Sequence, residues 1–478
     1  MNWKTIGKAF NNKDMRKKLV IVAGLLVLFR ILSYIPVPFG DTETIRQQID
    51  TAFSQQRLFG FVDVLSGGAL ASFSIMLMGL GPYINASIIM QILTKVVPRF
   101  KELQQEGESG RNKINQYTRM FSVPLAIAQS VGMIFLIRQV VQSSTGVNIV
   151  ETAGIADYIT MMSALVGGSL LLMWLGELIT EQNIGNGISL IITVGILTQL
   201  PQIINSLIPV FVPSGADYIF KLDLPNISTG LGFEFASPVN LTAVFIVLIF
   251  TALTLLVLYF VVKLNEAQRV VTVQYAKRIR GNRQYGGVDT VLPIKLIIAG
   301  VIPIIFAVAF LSIPSFVGSL MQGSGSEWVS NIGFKLVEWF NVGGSALGGA
   351  TAGASSAGNV VYPTVYFLLV VIFSFFSAGL YFNPKEISEN LQKQGGFIAG
   401  IRPGAQTEKY LRRIVNRLTL FGSTALGLVA VLPFIAERFT GNQLLTIGGT
   451  GIIIVVSVGI ETLRQLESKA LMITYDEH

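Results

Sequence analysis

Long apolar runs separated by short polar stretches dominate the chain. Runs of spanning length recur at about 19–35, 77–97, 121–140, 158–176, 184–205, 240–262, 292–314, 363–382, 414–436 and 443–462, each near the roughly 20 residues that a helix needs to cross a bilayer. The pattern predicts ten transmembrane helices and an all-α polytopic membrane protein. The longest break on one side, 205–239, leaves five runs before it and five after. An odd number per half makes the second half enter from the opposite side, so any repeat is inverted about an axis in the membrane plane. The expected domains are 1–205, a connecting outer loop 206–239, and 240–478.

Several runs are interrupted. Ser66 to Leu93 reads "SGGALASFSIMLMGLGPYINASIIMQIL", longer than one crossing and broken by Gly81-Pro82. Pro82 removes an amide donor and crowds the preceding turn, so Ser66–Leu80 and Tyr83–Leu93 are expected to be separate pieces. Irregular backbone at membrane depth is tolerated only where protein or water surrounds it. In "ITEQNIGNGISLII", Gly185, Asn186 and Gly187 precede a run, and Asn186 suits its N-cap. "AGVIPIIF" places Pro303 in what reads as mid-span. Proline kinks and small residues also serve ordinary helix packing, and any single interruption is explained that way.

Composition supports the membrane reading: 51% of residues are hydrophobic and 13% charged, and mean hydropathy is +0.61. There is no Cys, and the one His is His478. Zinc sites, thiol chemistry and a Ser/His/Asp relay are thereby excluded. With the N-terminus inside, 28 of the 35 Lys and Arg fall in inner segments. That bias places both termini in the cytoplasm by the positive-inside rule. The basic start could be read as a signal peptide, but Leu19–Ile35 runs into "PVPFG" without a small-residue cleavage site, so an uncleaved first span is expected. The Gly/Ser/Ala-rich segment 316–361 reads as a flexible outer loop with little core of its own.

The interrupted spans carry branched aliphatics at their centres. Leu80 and Ile84 are four apart, as are Ile188 and Ile192, so each pair shares a helix face; Ile305 follows Pro303, and Ile454 follows "IGGTG". An arbitrary Ile in such a helix faces lipid or core. If these six converge, they form a dry constriction that stops ions by dewetting. Arg30, Glu177 and Glu461 lie near span ends, and the span centres offer almost no ionisable residue. A small-solute transporter is expected to hold such a residue at mid-depth.

The stretches quoted above, with "WLGELITEQNIGNGISLII", "GIRPG" followed by Thr407, and "GGTGIIIVV", closely resemble the SecY family, the channel subunits of bacterial protein translocase. The resemblance covers nearly the whole chain. It implies two five-helix halves around a central pore with a plug half-helix, conducting unfolded secretory polypeptides across the membrane and releasing transmembrane segments sideways into lipid. It implies no enzymatic activity and no cofactor. By motif, the pore ring is Leu80, Ile84, Ile188, Ile192, Ile305 and Ile454. The plug spans about 61–76 and includes Phe61, Leu65, Ser66, Gly67, Gly68, Ala69, Leu70 and Phe73. Asn85 and Gln91 belong to a lateral gate between spans two and three on one half and seven and eight on the other.

Cytoplasmic loops at about 263–292 and 383–413 resemble docking sites for the ribosome and the SecA motor, through Lys277, Arg278, Arg280, Arg283 and Arg402. Arginine suits rRNA phosphates or SecA carboxylates equally. Family members often pair basic residues where this chain has Gly281, Asn282 and Arg283, and carry Pro where it has Ala399. The resemblance also implies small membrane subunits SecE and SecG, nascent chains and lipid as partners, and residence in the cell inner membrane. Two other classes are weighed against it. A secondary transporter shares broken helices and inverted repeats but needs a midplane ionisable site; an intramembrane enzyme needs a nucleophile with a base or paired carboxylates in the spans.

Overall fold

Caps and breakers set the helix ends. The structure, a computed structural model, describes residues 12–38, 69, 73–145, 154–198, 221–222, 227–229, 233–235, 239–275, 278–280, 283–285, 289–322, 326–340, 358–440 and 444–476. Helix α1 spans Lys13–Leu32, and the Asn12 side chain accepts from the Asp14 amide at 2.9 Å. Helix α2, Gly81–Val96, opens with Pro82 in its first turn. Pro98 then starts α3, Pro98–Gln105. Proline is tolerated at these positions because first-turn amides have no intrahelical partner. Next come α4, Glu108–Thr145, with Pro124 inside it, and α5, Ile155–Glu181. The Gly154 amide donates to Asp157 Oδ2 at 2.9 Å at the start of α5. Helix α6 is Gly187–Thr198.

Short strands β1 (Lys221–Leu222), β2 (Ile227–Thr229), β3 (Phe233–Phe235) and β4 (Val239–Asn240) pair β1 with β4 and β2 with β3 in the connecting segment. Helix α7 is Leu241–Glu266, followed by β5 (Gln268–Tyr275), β6 (Arg278–Arg280), β7 (Arg283–Tyr285) and β8 (Asp289–Lys295). The rest comprises α8 (Ile302–Gln322), α9 (Glu327–Phe340), α10 (Gly358–Tyr381), α11 (Pro384–Lys393), β9 (Gly396–Ile398), α12 (Ala405–Thr440) and α13 (Leu444–Asp476). Each of the ten predicted apolar runs overlaps a helix among these. Among the described residues, five helical segments are long and apolar enough to cross a membrane: 108–135, 155–181, 302–322, 360–393 and 405–435.

Internal contacts divide the chain into two units. The first joins Met1–Leu256, Ala309–Tyr362 and Pro433–His478. In it α2 packs along α4, α4 along α5, and α1 against α5. Near the start of α1, Met15 and Ala470 bury each other, with Leu19 and Leu466 alongside.

The second unit joins Val257–Val308 and Pro363–Leu432. Its centre is a three-stranded antiparallel sheet in the order β8, β5, β9, with Val271 opposite Leu292 and Val273 opposite both Thr290 and Ile398. Strand β5 alternates as a one-sided sheet should. Val271 and Val273 are buried with Ile294, Ile398, Leu411, Ile414 and Val415, while Val270 is exposed. A second hairpin, β6 with β7, pairs Arg280 with Arg283.

Three expectations change here. The seventh run does not begin a helix at 292: residues 292–295 complete β8, turns follow, and α8 starts only at Ile302. Gly300 has φ 62°, and Pro303 falls in the first helical turn, so the pair starts the helix and does not kink its middle. The segment 263–292, expected as a cytoplasmic loop, carries β5, β6, β7 and the start of β8, adding a small sheet to the helical fold. Finally, 316–361 is not simply a loop, since α8 runs on to Gln322 and α9 follows.

Candidate functional site

The segment entering α2 is irregular and anchored. Residues 73–80 run as successive turns, with Phe73 at φ 45° and Gly79 at φ 54°. A left-handed Phe is costly and persists only where its surroundings impose it. Those surroundings are a short antiparallel bridge of Pro36 to Ser74, in which the Val37 amide donates to the Phe73 carbonyl at 2.9 Å and the Ile75 amide to the Ile35 carbonyl at 3.0 Å. The Ser74 hydroxyl donates to the Leu32 carbonyl at 3.2 Å and accepts from the Met76 amide at 3.2 Å. The chain is thus stitched to the end of α1 just before α2 begins.

From this base Leu80 caps α2, and the Ile84 amide donates to its carbonyl at 2.9 Å. Both side chains are buried, as are Met76 and Leu77. The expected separation at the Gly81-Pro82 pair is therefore present as turns followed by a new helix. Of the plug positions, Ala69 and Phe73 are described and buried. Phe61, Leu65, Ser66, Gly67, Gly68 and Leu70 lie outside the described residues.

Helix α6 begins where its sequence requires. Asn186 Oδ1 accepts from the Ile188 amide at 3.1 Å and the Ser189 amide at 3.3 Å, satisfying amides that the first turn leaves open. The Thr180 hydroxyl donates to the Gly176 carbonyl at 2.7 Å and accepts from the Gly187 amide at 2.9 Å, tying the end of α5 to the start of α6. A Cβ at Gly187 would collide with the Gly176 carbonyl, so the two backbones touch.

Helix α13 then runs antiparallel to α6. A Cβ at Gly185 would lie 3.2 Å from Thr462 Oγ1, and one at Gly451 would lie 2.8 Å from Ile196 Cγ2. Residues 185 to 196 thus run opposite 462 to 451, which brings Ile192 level with Ile454. Both are almost fully buried, and Ile188 is half-buried one turn earlier. Within the first unit the structure brings together Leu80 with Ile84, and Ile188 and Ile192 with the level of Ile454. Ile305 belongs to the second unit, where it is buried in the first turn of α8.

Polar groups around this set are few. Asn85 is buried beside Ile84, and its Oδ1 has no hydrogen-bond partner. Gln91, half-buried two turns on, donates to Ser87 Oγ at 3.1 Å. The Arg30 guanidinium donates to Tyr34 Oη at 2.8 Å and stacks on that ring. Arg119 Nε meets Glu177 Oε1 at 2.6 Å, joining α4 to α5. That pair was not foreseen, because 58 residues separate its members and spacing on one helix cannot reveal it. The Gly176 and Gly187 contact was also missed, although both glycines stand in a quoted motif. Among the described residues no cluster of three or more His, Cys, Asp or Glu is placed to hold a metal.

In the second unit Arg402 is exposed on a built turn. Gly400 and Gly404 have φ of 79° and 96°, the Thr407 hydroxyl donates to the Arg402 carbonyl at 3.0 Å, and the Ser388 hydroxyl donates to the Gly404 carbonyl at 2.7 Å. Arg278, Arg280 and Arg283 fall on β6 and β7, whereas Lys277 lies outside the described residues.

Comparison with known proteins gives concordant matches. A family model described as SecY matches residues 74–463. A protein translocase subunit SecY from Streptomyces galbus is 38% identical over 473 residues, covering 98% of each chain. A solved protein-conducting channel aligns over 94% of this chain and 91% of its own, at TM-score 0.61 and 19% identity. Sec61 in the canine ribosome-channel complex from the endoplasmic reticulum aligns over 94% and 91%, at TM-score 0.55 and 18% identity.

Proposed function

We propose, from the premise that this chain belongs to the SecY family of protein translocase subunits, that its polypeptide path is closed by a ring of Leu80, Ile84, Ile188, Ile192, Ile305 and Ile454. The chain is a protein-conducting channel subunit, a multi-pass membrane protein whose work is passage and not chemistry. The observation that carries the ring is the placement of Leu80, Ile84, Ile188 and Ile305 at or beside the first turns of their helices, with Ile192 level with Ile454. A narrow neck lined by methyl groups has no partner for an ion's hydration shell and sheds water, yet flexible aliphatic side chains yield to a threaded chain.

The remaining assignments form part of the same reading. The plug is residues 61–76, on the segment pinned to α1 through Ser74. The lateral gate runs past Asn85 and Gln91. Segments leave through it by partition: burial gains roughly 0.3–0.6 kcal/mol per central Leu or Ile and loses a few kcal/mol per charge. The basic loops face the cytoplasm of the cell inner membrane with both termini. There Lys277, Arg278, Arg280, Arg283 and Arg402 receive the ribosome or SecA, and SecE and SecG complete the complex. The halves 1–205 and 240–478 are the two sides of the channel.

The test replaces Ile84, Ile188, Ile305 and Ile454 together with Ser. In planar bilayers the variant is expected to leak ions several-fold more than the parent; an unchanged conductance overturns the ring.

A further inference from the structure

Helix α9, Glu327–Phe340, begins five residues after the last residue of α8, Gln322. Its backbone is pressed on the end of that span. A Cβ at Gly318 would lie 2.8 Å from Leu336 Cβ, one at Gly333 would lie 2.6 Å from the Gly318 carbonyl oxygen, and the Ser330 hydroxyl donates to the Gln322 carbonyl at 3.5 Å. Residues 330–337 therefore lie at the level of 318–322. The apolar run of α8 ends at Met321 and continues as "QGSGSE", so this level is the boundary between hydrocarbon and water at that end of the span.

The faces of α9 are segregated. At about 100° per residue, Gly333 and Val337 meet α8. Glu327, Asn331 and Lys335 form one exposed polar arc. Trp328, Ile332 and Trp339 share a face beside that arc, within about 40° of one another, and Phe334 borders its other edge. Trp328 is 73% exposed, Phe334 44% and Trp339 42%. Three large aromatics left open on one short helix are an interaction surface. On α8 the exposed apolar side chains Ile313, Val317 and Leu320 reach toward the same level.

We infer that α9 is an interfacial anchor whose partner is lipid: it lies in the membrane plane with Trp328, Ile332 and Trp339 in the boundary between headgroups and acyl chains. Tryptophan is suited to that zone, with a broad apolar body and one N–H that wants water or a headgroup oxygen. An amphipathic helix with aromatic residues along its apolar edge binds there by buried apolar area. The anchor fixes the outgoing end of α8 in depth. It rests on α8 being a span and not on the pore ring, so failure of either leaves the other standing.

The absence of Cys permits a direct test on the full chain. Single-cysteine variants W328C, N331C, I332C, K335C and W339C are spin-labelled and reconstituted into phosphatidylcholine–phosphatidylglycerol vesicles, and collisions with oxygen and with a nickel chelate are compared. Oxygen is expected to dominate at 328, 332 and 339, and nickel at 331 and 335. Nickel dominance throughout overturns the proposal, as does protection from both agents at 328 and 339, which means a protein surface covers them. A second measurement leaves α9 intact. In the W3F/W174F variant the two remaining tryptophans should be quenched by lipids brominated near the headgroup, and unquenched emission overturns the proposal.

Discussion

Gly187 and Asn186 stand side by side and do different work. Asn186 supplies one oxygen to two amides that the first turn of α6 leaves open. An N-cap of this kind is worth about 1 kcal/mol, and Asn186→Ala is expected to cost about that much. Gly187 supplies absence: its missing Cβ lets the amide reach Thr180 and the backbone rest on Gly176. Gly187→Val is expected to cost more, since a packed core forced apart loses about 1–3 kcal/mol and here the obstacle is backbone, which cannot rotate away. Thermal unfolding of the purified variants, followed by tryptophan fluorescence, ranks the two. Equal losses mean that the seam between α5 and α6 is loose. The cap was legible because Asn followed by an apolar run is a local signal. The seam was not, because a glycine announces room without saying what fills it.

Element by element, the sequence was most informative where physics is local. Each apolar run carries a helix because lipid leaves the backbone no other way to satisfy its amides over such lengths. The limits were misread where strand and helix are both apolar. "VLPIKLIIAGVIPIIF" is continuous in hydropathy, yet its first part pairs with β5 and only its last part is helical. Pairing with a strand about twenty residues upstream is invisible to a window of hydropathy. The difference has a measurable consequence at Pro303. At a helix start, Pro303→Ala costs under about 1 kcal/mol, the backbone entropy that proline had removed. A larger change in unfolding midpoint, of either sign, returns Pro303 to a kinking role. Helix α9 was hidden for another reason: glycine and serine on both sides diluted a short amphipathic pattern that is plain once 326–340 is read alone.

For the whole molecule, charge is the organising quantity. Most of the 35 Lys and Arg lie in the segments expected on one face, and the second unit gives part of that charge a framework of strands and tight turns. Phosphate recognition by such a face must weaken with salt, because each contact releases condensed counterions. If these arginines receive the ribosome as proposed, replacing Arg278, Arg280 and Arg283 with Gln weakens that binding and flattens its logarithmic salt dependence by up to ~2–3 units. Sedimentation of ribosomes with the reconstituted channel across a salt series reads this directly. A uniform loss with the slope unchanged assigns those arginines to folding of the hairpin. Which family these residues serve was legible from long consecutive motifs. The direction in which Ile305 faces was not, because hydropathy records depth along one helix and says nothing of azimuth.

The seam at Gly176 and Gly187 also restricts how an opening can grow. Two helices whose main chains touch, latched by one threonine and sealed by glycines, behave as a single stave. A wide cargo cannot pry them apart without breaking that latch. If Ile188 and Ile192 line the path as proposed, dilation is taken up by rotamers of the lining residues and by slippage at other joints, which limits the girth admitted past this wall.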